Sequence, residues 1–114
     1  MKVDQQLLKG TVSILLLRLL SENDMYGYQM IRTLEERSDD VFRFNEGALY
    51  PALHALEKKG CIASYWEEGE NGKKRKYYHL TRDGGKLLEK KTEEWHLFTQ
   101  SINRILDTQA LHAL

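Results

Sequence analysis

Cysteine and proline each occur once in 114 residues, as Cys61 and Pro51. A single thiol closes no disulfide within the chain, which excludes the small disulfide-stapled class and fits a reducing cytoplasm. Long apolar runs are missing too. The longest, Ile14 to Leu17, is far too short to cross a bilayer, and the opening MKVDQQ lacks a signal-peptide pattern. The expected location is therefore the cytoplasm. Nor is there an excess of either charge: 17 Lys and Arg balance 17 Asp and Glu. Bulk basicity gives no pointer to nucleic acid, so any DNA contact has to come from locally concentrated cations. No glycine-rich phosphate loop, nucleophile elbow or zinc-binding helix motif appears, which points away from an enzyme.

The chain is 41% apolar and 30% charged, an ordinary balance for one globular domain. A domain this small buries only a modest core, and pairing with a second copy is a natural way to bury more. The spacing predicts a first helix over about Gln5–Ser21, apolar on most sides and so expected to be buried on most sides. A second helix is predicted over about Tyr26–Arg37 and a short extended strand at Val41–Phe44. A third helix, capped by Asn45, is predicted over Glu46–Lys59 and closed by Gly60. Pro51 falls inside it, where its ring meets the carbonyl of Gly47, the residue best able to adjust. Strands are predicted at Ile62–Glu68 and Arg75–Leu80, joined through Asn71-Gly72. A long helix follows Thr81, from Arg82 past Leu106. The expected fold is mostly α with a small β-hairpin: a winged helix-turn-helix over residues 1–81 and a C-terminal dimerisation helix over 82–114. In that layout the third helix enters the major groove and the hairpin is the wing.

The candidate DNA contacts follow from this placement. Lys73, Lys74, Arg75 and Lys76 are consecutive at the hairpin tip, the residue types that supply non-specific affinity through phosphates. The other account of such a run is a solvated loop, and Glu67, Glu68 and Glu70 dilute its potential. On the third helix Tyr50, His54 and Lys58 are spaced by four and share a face, each able to bond a phosphate or base edge. The helix has no Arg, Asn or Gln for a bidentate base contact. Asn45 at its cap is the nearest candidate, with apolar contact from Ala48 and DNA shape as the remaining means of reading sequence.

Three segments together carry a family resemblance. Glu46 to Leu53 (EGALYPAL) resembles the recognition-helix signature of the PadR family of bacterial transcriptional regulators. Tyr26 to Met30 (YGYQM) resembles the start of its second helix, and Gly72 to Thr81 (GKKRKYYHLT) resembles its wing. The short C-terminal part is similar to the smaller branch, which has one dimerising helix. The resemblance implies a double-stranded DNA operator as partner, repression, a homodimer, and in some members of that branch a sensed compound. Family members more often carry Thr at the position of Ala48, a hydroxyl contact this chain lacks.

In the last helix Leu88, Trp95 and Ile102 are seven apart and interleave with Phe98 and Ile105, a short coiled-coil seam interrupted by Lys91. Such a stripe is too long to bury on the small head alone. The resemblance implies that it packs on the first and last helices of a second copy, which adds Leu7, Leu8 and Ile14 to the expected interface. Trp95 is either a plain interface hydrophobe or one wall of a slot for a planar hydrophobic effector, with Leu7, Gly10, Ser13 and Ile14 opposite. No cofactor and no metal site is expected. The alternatives are a metal-responsive sensor bridged through His96 and His112, or a winged-helix module that binds proteins.

Overall fold

The structure is a computed structural model that describes residues 3–107. Its elements run α1 (Gln5–Lys9), α2 (Val12–Glu22), β1 (Met25–Tyr26), α3 (Gly27–Arg37), α4 (Glu46–Lys58), β2 (Ile62–Glu68), β3 (Lys74–Leu80) and α5 (Arg82–Leu106). The mostly helical architecture with a small antiparallel sheet and a long final helix is the one expected.

Two local expectations are corrected. The first helix is two: the amide and hydroxyl of Thr11 both donate to the carbonyl of Leu8, at 2.9 and 2.7 Å. That closes α1 at Gly10 and restarts the chain as α2. The short strand is Met25–Tyr26, not Val41–Phe44, which joins no sheet among the described residues and instead delivers Phe44 to the core. Met25 and Tyr26 pair with Tyr78 and Tyr77, so the sheet has three strands in the order β1-β3-β2. The wing connection falls where expected, between Glu68 and Lys74, and contains Asn71-Gly72. The amide of Gly69 donates to the carbonyl of Lys73 at 2.8 Å, and only Gly72 in this loop takes a left-handed φ, of 72°.

The helices form where amphipathic spacing and caps agree. Asn45 accepts from the amide of Ala48 at 2.9 Å, and Thr81 accepts from that of Gly84 at 3.1 Å. Each satisfies an orphan donor of a first turn. α2 runs through the middle of the core, with Val12, Leu16, Leu17, Leu19 and Leu20 buried. Met30, Ile31 and Leu34 of α3, Leu49, Leu53 and Leu56 of α4, and Ile62 and Tyr78 of the sheet close around it. No polar or charged residue is buried among the described residues.

α5 is fastened to the head at its start. The Thr81 hydroxyl donates to the carbonyl of Gly60 at 2.6 Å and the Thr81 amide to that of Cys61 at 3.1 Å. A Cβ on Gly84 would lie 2.0 Å from the Cys61 oxygen, so only glycine fits this close approach. Leu87 and Leu88 still pack against the core. The helix then runs on, and the described residues reach 63 Å along one axis against 30 and 21 Å across. No described helix is long and apolar enough to cross a membrane.

Candidate nucleic-acid interface

α4 buries Leu49, Leu53 and Leu56 and exposes the opposite face. Along the middle of that face lie Gly47, Pro51, His54 and Lys58. Pro51 has no amide to donate to the Gly47 carbonyl, so the irregularity falls on the exposed side. Tyr50 and Ala48 are two positions apart, about 200° around the helix, and so sit on opposite edges. Tyr50 turns toward α3 and the wing, where a Cβ on Gly27 would meet its hydroxyl at 2.7 Å. Ala48 lines a separate hollow of about 490 Å³ with Ser13, Pro51 and Lys9. The amide oxygen of Asn45 is occupied by capping, which leaves its NH₂ as the group free to donate.

The four consecutive cations are divided by the pleat of β3. Lys74 and Lys76 share the face of buried Tyr78, while Arg75 shares the face of Tyr77 and His79. Lys73 and Lys74 are exposed; Arg75 and Lys76 are half-buried. The Arg75 guanidinium lies 4.6 Å from the centre of the Tyr26 ring and donates to the Tyr26 hydroxyl at 3.1 Å. The Lys76 ammonium lies 5.6 Å from the Tyr78 ring centre. Two of the four are thus seated on aromatic rings, and two are free at the tip.

The outer face of the sheet is a tyrosine layer. Tyr77 meets Tyr26 edge-on at 5.4 Å and stacks on Tyr65 at 5.7 Å. Tyr65 donates its hydroxyl to Asp24 at 2.7 Å, and the His79 ring contacts the other oxygen of that carboxylate at 2.8 Å. The Tyr65 hydrogen bond holds the Asp24 carboxyl below its ordinary value, with further help from His79. The same bond pushes the Tyr65 phenol up to about 12. The loop before β1 is therefore tied to both wing strands.

Between α4 and the wing lies a cleft of about 340 Å³, walled by Tyr50 on one side and Trp66 and Lys76 on the other. Tyr28 and Trp66 belong to this surface and are not among the residues the sequence singles out. Their signal is present only once register is known, because Trp66 stands directly opposite Lys76.

The expected interface residues divide in a different way. Leu8 is 3% exposed and belongs to the core of its own chain, and Leu88 packs against that core. Ile14 is half-buried. Leu7, Trp95, Phe98, Ile102 and Ile105 are exposed. Leu7, Gly10, Ile14, Trp95 and Phe98 line one hollow of about 440 Å³ within a single chain, with Lys91 and Glu94 beside them. Ser13 is not part of it. The Trp95 and Phe98 rings are 5.8 Å apart and tilted. Of the histidines considered for a metal, His96 is exposed on α5 and His112 lies outside the described residues. No cluster of three or more His, Cys, Asp or Glu is placed to hold a metal among the described residues.

Comparison with known proteins completes the description. The family model described as the transcriptional regulator PadR-like family matches residues 16–90. A transcriptional regulator from Clostridium thermocellum superposes with a TM-score of 0.81 at 38% identity, over 88% of this chain and 97% of that one. A PadR family transcriptional regulator from Eggerthella lenta DSM 2243 gives 0.78 at 32% identity, over 90% of this chain and 88% of its own. The transcriptional regulator YqjI of Escherichia coli (strain K12) is 30% identical over 93 residues, which are 82% of this chain and 43% of that protein.

Proposed function

The chain belongs to the transcriptional regulator PadR-like family, and from that premise we propose that it is a sequence-specific DNA-binding repressor that works as a homodimer. The observation that carries this reading is the shared cleft. Tyr50 of α4 and Trp66, Arg75 and Lys76 of the wing face one another across it, so recognition helix and wing present one continuous surface to a duplex. Tyr50, His54 and Lys58 supply the contacts in the major groove, with Asn45 and Ala48 at the edges. Lys73 and Lys74 reach phosphates, and Arg75 and Lys76 hold the wing in place while adding positive potential. The dimer is supported by the exposed row Trp95, Phe98, Ile102 and Ile105, which a second copy would cover together with Leu7 and Ile14.

Footprinting on the chain's own promoter tests the DNA reading. The expected result is a protected site with two half-sites about one helical turn apart and reduced transcription from that promoter in the presence of the protein. Equal affinity for that promoter and for random duplex at every salt concentration would sink it.

The hollow beside Trp95 favours an effector of planar, apolar or cationic chemistry, held by dispersion and cation–π attraction. Such a ligand would touch the element that carries the dimer and alter the relative rotation of the two heads. It releases DNA only if it prefers the rotated dimer. Titration of Trp66→Phe with planar dyes leaves Trp95 as the reporter. Dyes that quench it while weakening operator binding support the switch, and dyes that quench it with operator affinity unchanged remove it.

A further inference from the structure

The head carries a further hollow, of about 420 Å³, between α2, α3 and the connection that leads from α3 to α4. None of its lining belongs to the cleft beside the wing or to the hollow beside Trp95. Its floor is aliphatic: Leu19 and Leu34 are buried and Leu15 is half-buried. Val41 and Phe42 of the connection form a wall. The exposed Arg18 and Arg37 also line it, and no carboxylate does.

The two guanidiniums share one carboxylate. Glu22 accepts from Nη1 of Arg37 at 2.9 and 3.1 Å and stands 3.4 Å from Nε of Arg18. One negative charge against two positive ones leaves a surplus, and each guanidinium keeps donors beyond those it spends on Glu22. The Ser38 hydroxyl is already engaged, donating to the Glu35 carbonyl at 3.3 Å and accepting from the Phe42 amide at 2.9 Å. Polar recognition in the hollow therefore falls to the two arginines, whose planar forks match a carboxylate. Beneath them lies an aliphatic floor with a single aromatic ring, which suits an alkyl tail better than a planar one. The volume is at the small end of ligand sites and fits a tail of about eight to ten carbons.

We infer that this hollow binds an alkyl carboxylate of medium chain length, its tail over Leu15, Leu19 and Leu34 and its head group on Arg18 and Arg37, and that the ligand acts on α4 through the connecting segment. That segment is a built turn. The Asp40 amide donates to the Glu35 carbonyl at 2.8 Å and the Val41 amide to the Ser38 carbonyl at 3.0 Å. Asp39 and Asp40 both take left-handed φ angles, 51° and 64°, a conformation uncommon outside glycine and best tolerated by Asn and Asp. The turn presents Val41 and Phe42 to the hollow, then delivers Phe44 to the core and Asn45 to the cap of α4. A tail lying against Val41 and Phe42 thus touches the segment that sets where α4 begins. It changes DNA binding by the difference in its affinity for two positions of that segment. The action on α4 rests on the DNA-binding reading above; the site itself does not.

The test is calorimetry of the full chain with hexanoate, octanoate and decanoate, each below its micelle concentration. Affinity should rise about fourfold per added methylene. Octanol, which lacks the charge, should bind about fivefold more weakly than octanoate. Arg37→Gln should bring octanoate down about fivefold and leave octanol unchanged, with little change in thermal midpoint, because an exposed ion pair adds little stability. Val41→Trp should weaken octanoate at least about tenfold by occupying the space of the tail. If that variant does not fold, octanol and Arg37→Gln still decide. Octanol equal to octanoate, no effect of Arg37→Gln, or 2-naphthoate binding more tightly than decanoate would each overturn the site. So would octanoate that quenches Trp95 in Trp66→Phe with an affinity that Val41→Trp leaves unchanged, since it then occupies the hollow on α5. In a second arm octanoate is added to the complex with a labelled duplex from the chain's own promoter. It should release the duplex, and Arg37→Gln should need about fivefold more octanoate to do so. Octanoate that binds by calorimetry while duplex affinity stays the same removes the action on α4. A chain that binds no duplex at all removes the DNA-binding reading and that action with it, while the calorimetric arm still decides the site.

Discussion

The head and the distal half of α5 solve the same problem differently. Every buried residue among those described lies between Leu8 and Gly84. Within that stretch three helices and a sheet close around α2, and every Leu, Ile, Val and Met is buried or half-buried. From Glu94 to Leu106 the helix carries Trp95, Phe98, Ile102, Ile105 and Leu106 along one side, all exposed. An exposed amphipathic stripe of that length is the surface the proposed second copy would cover. The head buries its aliphatic residues within the chain, whereas the apolar row of the tail stays exposed. The two are joined where Thr81 grips Gly60 and Cys61 and where Gly84 lies against the Cys61 carbonyl.

The largest expected effect comes from breaking the tail. Phe98→Ser combined with Ile102→Ser should weaken self-association at least about a thousandfold, since two central apolar anchors of a dimer each carry about 2 kcal/mol or more. Analytical ultracentrifugation reads this directly. Leu97 lies on another side of α5 and is also exposed, so Leu97→Ala should leave association unchanged. A dimer that survives the double substitution would show that the row is not the interface.

Next comes the head. Leu53 is fully buried on α4, and Leu53→Ala should cost about 3 kcal/mol in denaturant unfolding through lost transfer energy and a residual cavity. A loss no greater than that of Leu97→Ala would contradict the idea of a closed head. Gly84→Ala strikes the junction instead, and its clash with the Cys61 backbone should cost at least about 2 kcal/mol.

A smaller difference separates the wing cations. Lys73→Ala with Lys74→Ala should reduce the salt slope of duplex binding by about one per lost phosphate contact. Arg75→Met should change that slope much less, because its guanidinium is already held by Tyr26. Equal slopes in both variants would place Arg75 on the phosphates as well.

The smallest effect concerns pH and the tie between Asp24 and the wing. The folded value of Asp24 is lowered, so its contribution is present above the ordinary 3.8 and is lost as pH falls through the lowered value. The folded value of Tyr65 is raised, so its contribution is present below 10 and is lost as pH rises from 10 through about 12. Tyr65→Phe should therefore lower the thermal midpoint slightly near neutrality, and the difference from the parent should fade at both extremes. Tyr65 is exposed and Asp24 only half-buried, which keeps the effect small. A difference that persists unchanged below the lowered Asp24 value would assign it to packing instead.

Much of this molecule was legible from residue order. Asn45 and Thr81 announce their helices by cap chemistry, and both side chains accept the expected amides. Leu49, Leu53 and Leu56 mark the buried face of α4 by spacing alone. The break at Gly10-Thr11 was not legible, because the apolar residues run straight through it and only the double donation of Thr11 to the Leu8 carbonyl ends the turn. The strand Met25–Tyr26 was hidden for another reason. Two residues make no periodic pattern, and their strand exists only because β3 lies alongside.

The sequence by itself determined the element types, the caps, the buried helix faces and the presence of four cations beside a hairpin turn, since each of these depends on near neighbours in the chain. Tertiary structure decided which cations are free. Lys73 through Lys76 are equivalent as a string, but Arg75 finds Tyr26 from a distant segment and Lys76 finds Tyr78 two residues on, across the pleat. It also decided that Tyr50 and Trp66 share a cleft and that Leu8 turns inward while Leu7 turns out. Contacts of this kind join residues far apart in sequence, and their partners are chosen by packing in three dimensions, which no local pattern encodes.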